Sequence, residues 1–414
     1  MAKNKTVVLF SISTMFYSFA SLLSSLVVIR WISPELMGFW GTVILFQAYS
    51  FFLQLGTLSG LGRELPFYLG KNEKEKALSL AGTASYFSLI CMGAVFLLTM
   101  ITLTYFIIIG SDRNLIITIF VVGVSSAINF YQNYLIVTFR SNKSFNKLSK
   151  VYFVQSIVII ASIILVYKYQ YTGFVFRYLL LTIFLTILLF YVRPIKEAIS
   201  FEITNFKLLI KTGFKMYSLG YLNNVIQSLN RVILVSLSGP LLVGLYMPSL
   251  AILNVMKMLP SSLGQYLYPK MTYELGKTGD KKKIWKWVWK SAFILIIALI
   301  PFGIIGWYVL PPFVEFMFPK YIEGIRAAQL SIISGIISGS LIGINVINSL
   351  KAYKTLALLT AIKFVLYVSL MYLFTQLLDP LTGIALGLVI ADLLYFIVAL
   401  YACYYNLIIY EKHE

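Results

Sequence analysis

The sequence predicts an all-α polytopic membrane protein of about twelve transmembrane helices, built as two parallel six-helix halves around a central cavity. Three observations carry this reading: long apolar blocks, a one-sided distribution of lysine and arginine, and an internal repeat.

Of the 414 residues, 59% are apolar and only 12% are charged. A soluble domain carries roughly twice that charged fraction. A helix needs about 20 apolar residues to cross the hydrocarbon, so blocks of that length are read as spans. They fall near 7–29, 38–58, 79–109, 115–139, 151–167, 174–192, 216–237, 241–263, 291–310, 327–349, 355–377 and 382–409. None shows the alternation a barrel strand requires. The first block follows Lys3 and Lys5, as a signal peptide would. It is too long for one and lacks a small-residue cleavage pattern, so it reads as a retained helix. The two cysteines, Cys91 and Cys403, lie in apolar blocks, and the one histidine is His413. No zinc or haem ligand set can be assembled from these, and no cofactor is expected.

The charges set the orientation. Alternate connections hold 25 of the 34 lysines and arginines, among them Arg63, Lys71, Arg140, Lys147, Lys207, Lys211, Lys281, Lys282, Lys351 and Lys412. The other connections hold six: Arg30, Arg113, Lys168, Arg177, Lys320 and Arg326. The positive-inside rule places the richer set, and both chain ends, in the cytoplasm. The net charge of +19 is spread over many short loops. That pattern suits anionic lipid headgroups and excludes a nucleic-acid interface. In Lys283-Ile-Trp-Lys-Trp-Val-Trp-Lys290, tryptophans alternate with lysines as the headgroup layer favours.

The halves match at an offset of 206. Pro34-Glu-Leu-Met-Gly38-Phe-Trp40 corresponds to Pro240-Leu-Leu-Val-Gly244-Leu-Tyr246, and Gly70-Lys71 to Gly276-Lys277. Six spans per half is an even number, so both halves enter from the same side and the repeat is parallel. The expected division is 1–193 for the first half, 194–215 for a cytoplasmic linker, and 216–414 for the second half. The linker mixes basic residues with Phe201, Ile203, Phe206 and Leu209, as an interfacial amphipathic helix does.

Polar groups inside spans mark the candidate site, because an ion in hydrocarbon costs at least about 2.5 kcal/mol. Tyr217, Tyr221, Asn224, Gln227, Ser228 and Arg231 form a stripe at helical spacing. The stripe lines a wet cavity or glues helices together. Lys257 has Asn254, Ser261 and Gln265 at helical spacing, in a span interrupted by Pro248 and Pro260. Lys363 lies between Thr360 and Tyr367, roughly 12 Å from the inner end of its span. Both lysines line the cavity or snorkel to headgroups. Asp392 is central to the last span and too short to reach either surface. It pairs with Lys363 or Arg231, or it is protonated. Arg30 and Arg63 extend the series of cations. More positive than negative charge in a lumen suits a multiply charged anion such as a diphosphate. The 29 tyrosines offer stacking and hydroxyl contacts to sugars.

On these residues the chain resembles the polysaccharide-transporter (Wzx-type O-antigen flippase) branch of the multidrug/oligosaccharidyl-lipid/polysaccharide exporter superfamily. The resemblance rests on Arg30-Trp-Ile-Ser-Pro34-Glu-Leu-Met-Gly38-Phe-Trp40, Gly62-Arg63-Glu-Leu-Pro66-Phe-Tyr-Leu-Gly70-Lys71, Asn230-Arg231, Val243-Gly244-Leu-Tyr246 and Phe318-Pro319-Lys-Tyr321. It runs along most of the chain and lies in the order and spacing of the motifs. The family often has Asp before the arginine of the seventh span. Asn230 stands there, which removes a candidate ion-coupling carboxylate.

The resemblance implies a non-enzymatic flippase in the bacterial inner membrane. It would carry an undecaprenyl-diphosphate-linked oligosaccharide, as O-antigen, capsule or exopolysaccharide unit, to the outer leaflet by alternating access. Partners would be the lipid-linked oligosaccharide, membrane lipids, a glycan polymerase and a chain-length regulator. The chain length favours this branch over lipid II flippases, which carry two more spans. A multidrug antiporter of the same superfamily is the first alternative, with Asp392 as its cation-binding acid. A membrane glycan polymerase is the second, and it lacks an acid/base pair on a sizeable outer loop.

Overall fold

The computed structural model describes residues 2–196, 198–350 and 352–409. Lys351, Lys412, His413 and the C-terminal end lie outside the described residues, as do the side chains of Lys3 and Lys5. Among the described residues every regular element is helical, the only open-chain solution that pairs each backbone amide inside lipid. The chain divides into two compact units, Met1–Asn224 and Val225–Glu414.

The first unit holds α1 (Ala2–Ile29), α2 (Pro34–Ser50), α3 (Thr57–Gly70), α4 (Lys74–Ile108), α5 (Arg113–Ser141), α6 (Phe145–Ala161), α7 (Ile163–Tyr191) and the start of α8 (Ile203–Ser238). Pro34 opens α2 behind the N-cap Ser33, a position where a missing N–H costs nothing. Asp112 caps α5 by accepting from the amides of Asn114 and Leu115. The core of the unit is Leu61, Leu65, Leu80, Tyr134, Phe139, Leu148, Leu189 and Leu209, from α3 to α8.

The block expected at 38–58 forms one span over Pro34–Gln54 and ends a few residues early. A 3-10 turn (Phe51–Gln54) follows α2, and Leu55 and Gly56 both take left-handed backbone conformations before α3 begins. The cause is a close crossing by α8. A Cβ on Gly60 would lie 2.1 Å from the Leu209 carbonyl oxygen, and one on Gly213 would lie 2.0 Å from that of Gly56. The chain turns at Gln170 (φ 49°), between the blocks expected at 151–167 and 174–192. This brings Arg177 back against Ile159 and Ser162. Arg177 was expected in an outer connection and is instead 7% exposed.

The linker region is helical from Ile203 onward as part of α8. Asn205 is buried and donates to Ser79 of α4 at 2.7 Å and to Glu202 at 2.7 Å. Ile199, Phe201 and Ile203 stay exposed.

The second unit holds the remainder of α8, then α9 (Pro240–Leu245), α10 (Met247–Thr278), α11 (Lys281–Met317), α12 (Ile325–Gly339), α13 (Val346–Ser349), α14 (Tyr353–Leu377) and α15 (Pro380–Tyr404). Pro240 opens α9 as Pro34 opens α2. The break lies at Tyr246, between α9 and α10. Pro248 was expected to interrupt the helix, but it sits in the first turn of α10, where it fits. Pro260 lies within the helix and packs against Gly339 of α12.

The tryptophans of the 283–290 segment have separate surroundings. Trp285 lies against Tyr404, Trp287 lies beneath the Lys270 and Lys283 ammonium groups, and Trp289 is exposed. Lys283 also pairs with Glu274, and this bond, with Lys277 and Lys270 nearby, holds the Glu274 carboxyl below the ordinary carboxylate range.

Among the described residues, nine helices are long and apolar enough to cross a membrane, against the twelve expected. Helices α6 and α12 have only 17 and 15 residues. Each is continued by a separate element, α6 by the start of α7 and α12 by a 3-10 turn (Ser340–Asn345). The chain is a multi-pass membrane protein.

Packing without a hydrophobic driving force depends on close backbone approach. Helices α14 and α15 meet where Gly383 and Gly387 face Phe374 and Met371; a Cβ on Gly387 would lie 2.6 Å from the Met371 Cα. Gly387→Val should therefore destabilise by about 1–3 kcal/mol, seen as a lower midpoint of thermal unfolding in detergent. Gly93→Val, at an open position, should leave the midpoint unchanged. Equal midpoints for the two variants would show that the α14–α15 contact yields freely.

Candidate functional site: a charged cleft in the second unit

Four of the expected site residues converge on one cleft of about 220 Å³. Gln227 and Arg231 reach it from α8, Lys257 from α10 and Asp392 from α15. Helical spacing explains the α8 contribution, since residues four apart share a face. Asn230, Asn254, Ser334 and Tyr367 complete the polar lining; Ile226, Leu250, Leu253, Met371 and Leu388 form the apolar remainder.

The stripe on α8 does both things that its sequence allowed. Its upper part is glue: Tyr217 donates to the Phe51 carbonyl, and Tyr221 donates to that of Tyr49 at 3.1 Å. These two bonds tie this part of α8 to the end of the second span. Gln227 and Arg231 of the stripe line the cleft, while Ser228 is buried and donates to the Val225 carbonyl. Asn224 lies between the two parts, exposed and outside the cleft lining.

Asp392 is 2% exposed. One carboxylate oxygen accepts from the Ser334 hydroxyl and the other from the Tyr367 hydroxyl. Lys363 and Lys257 lie within electrostatic reach of it. Lys363 is expected to line the cavity or snorkel, and it does a third thing. Its ammonium sits over two rings, 5.3 Å from Tyr367 and 5.1 Å from Tyr395. Such cation–π contacts are worth about 0.5–2 kcal/mol each. Tyr367 thus lies between the cation and the acid, touching both.

Arg30 and Arg63 are exposed residues of the first unit and take no part in this cleft. The side chain of Gln265 lies outside the described residues. Ser334 was not foreseen. The signal that could have found it is the run Ser331, Ser334 and Ser338 at helical spacing on α12. Among the described residues, no cluster of three metal-ligating side chains forms.

The class of protein follows from the architecture: a multi-pass helical membrane protein of two units with polar, charged groups inside its spans. Among solved structures, the chain has the fold of the MATE transporters and of MurJ. An inward-facing multidrug resistance MATE-family transporter of the MOP superfamily aligns with a TM-score of 0.71 at 14% identity, over 97% of this chain and 98% of that one. The lipid II flippase MurJ, in an inward closed conformation, aligns with 0.70 at 18% identity, over 95% and 87%. The Vibrio cholerae MATE transporter VcmN, in its bent form, aligns with 0.58 at 14% identity, over 97% and 99%. No family model and no curated protein matches the sequence.

Removing either hydroxyl that holds Asp392 leaves a buried carboxylate oxygen short of a donor. Tyr367→Phe and Ser334→Ala should each cost about 1–3 kcal/mol of stability, measured by thermal unfolding in detergent. The double variant should depart from additivity, because both bonds end on one carboxylate. Unchanged midpoints in both single variants would show that water replaces the hydroxyls freely.

Proposed function

We propose that the chain is a flippase that moves an undecaprenyl-diphosphate-linked oligosaccharide across the bacterial plasma membrane by alternating access. The observation that carries this reading is the charge balance of the cleft. Among its described lining residues are the cations Arg231 and Lys257 and one carboxylate, that of Asp392, which accepts from two hydroxyls. Its cationic groups therefore outnumber its acids, and an anionic cargo gains most from such a surface. Arginine offers a planar fork of donors that matches phosphate oxygens, and lysine adds a mobile point charge. Asn230, Asn254 and Gln227 add amides suited to sugar hydroxyls. The likeness to MurJ, a lipid II flippase, supports a lipid-linked cargo. The cargo would be an O-antigen, capsule or exopolysaccharide unit, presented to a glycan polymerase and chain-length regulator. Both chain ends would face the cytoplasm, on the positive-inside count. The N-terminal half, linker and C-terminal half would divide at 193 and 215.

The multidrug antiporter is the second reading. It is favoured by the likeness to a multidrug resistance MATE-family transporter and by the one acid in the cleft. In that case Asp392 would bind cationic drug or coupling ion.

The two readings separate in a bacterial strain that depends on this chain. Arg231→Ala should abolish surface glycan at normal protein levels, and Arg231→Lys should retain part of it. Normal glycan with Arg231→Ala would reject the role of that residue. Resistance to cationic dyes that is lost with Asp392→Asn, with surface glycan intact, would establish the antiporter instead.

A further inference from the structure

The first unit contains a second polar cavity, of about 320 Å³, lined by groups from α1, α2, α5, α6 and α7. At its base is the buried Arg177. Its Nε donates to the Ser162 hydroxyl at 2.7 Å, and its Nη2 donates to the Ile159 carbonyl at 2.8 Å and to the Ser24 hydroxyl. All three partners are neutral, and they leave the Nη1 group for the cavity. Among the described lining residues there is no carboxylate. An ion in a membrane-buried site is costly unless its charge is answered, and nothing in this lining answers it.

The neighbours of Arg177 are amides and hydroxyls: Gln47, Asn129, Gln132, Gln155, Tyr17 and Tyr178. Gln155 is 2% exposed. Its Nε2 donates to the Leu181 carbonyl at 3.0 Å, and its Oε1 is a buried acceptor with no donor. The cavity therefore asks for two things at once. It needs one negative charge for the guanidinium, and a hydroxyl or amine proton for Gln155. A bare inorganic anion supplies only the first, and a neutral sugar only the second. The volume is at the lower end of the range for small-molecule pockets.

We propose that the Arg177 cavity is a second ligand site, which binds the carboxylate of a sugar acid through Arg177 and its ring hydroxyls through the surrounding amides. It rests on the transport reading and extends it by giving the cargo an acidic sugar. Arg177, anchored from three sides, presents its free edge as one monoanion requires.

Binding of radiolabelled glucuronate to the full-length protein in detergent tests this, read by scintillation proximity. Glucuronate should bind saturably. Unlabelled glucuronate should displace it at a concentration at least about tenfold below that of glucose or of sulfate, an anion that carries no hydroxyl proton. Arg177→Gln should weaken binding at least about tenfold, and Arg177→Lys should weaken it less. Lys168→Gln, which removes an exposed charge at the neighbouring turn, should leave binding unchanged. If Arg177→Gln does not yield monodisperse protein, Gln155→Met keeps the arginine and its anchors. It should cost about fivefold or more in glucuronate affinity. Absence of saturable binding, equal competition by glucose or sulfate, or unchanged affinity in the Arg177→Gln or Gln155→Met protein would overturn the proposal. This binding readout is separate from the surface-glycan readout of Arg231, so either can fail alone.

Discussion

Hydrocarbon has no hydrogen-bond donors or acceptors to offer, so each backbone amide in a span must find its partner within the protein. That constraint selects helices throughout the described chain and sets their length. It also governs where the helices may stop. The left-handed turn at Leu55–Gly56 interrupts the helical pairing, and the protein must satisfy the groups it frees. Here Tyr217 and Tyr221 donate to the Phe51 and Tyr49 carbonyls. Side chains from α8 thus satisfy carbonyls at the end of the second span. The same constraint explains the many serine and threonine hydroxyls that donate to carbonyls three or four residues back, as Ser88, Thr99, Ser126 and Ser156 do.

Once the backbone is paired, association of the helices depends on contact, because lipid tails compete for apolar surface as well as leucine does. Glycine supplies that contact at the α3–α8 and α14–α15 crossings, where any side chain would enter the facing backbone. Close crossings then fix which polar groups can meet. The α14–α15 approach brings Tyr367 to Asp392 and Lys363 to Tyr395.

The charged groups follow one logic in both units. In the second unit an acid is held by two hydroxyls, Ser334 and Tyr367, beside a cation packed over aromatic rings. In the first, an arginine is held by two hydroxyls and a carbonyl, with amides around it. Neutral partners fix the position of Arg177 without cancelling its charge, whereas Asp392 also has Lys363 and Lys257 within electrostatic reach. A charge held in this way keeps its field for something that enters the cavity. Rigid preorganisation of that kind is what separates a binding group from a structural ion pair, in which the partner charge consumes the field.

The apolar blocks, the uneven distribution of lysine and arginine along the connections and the matching Pro34 and Pro240 were legible in the sequence, because each is a one-dimensional property: length, count and spacing. The chemistry of Arg231, Lys257 and Asp392 was legible for the same reason, since an ion in an apolar block stands out wherever the block lies. Which of these ions meet was not. Arg30 and Arg63 look equivalent to Arg231 in sequence, yet they are exposed in the other unit. Arg177 looked like the residue of an outer connection until the turn at Gln170 returned it to Ile159 and Ser162. Ser334 and Gln155 gain their meaning only from what faces them. Composition and spacing determined that this chain spans a membrane with charges inside it. The tertiary structure alone decided which charges share a cavity, because that depends on how closely two backbones approach and on the rotation of each helix about its axis.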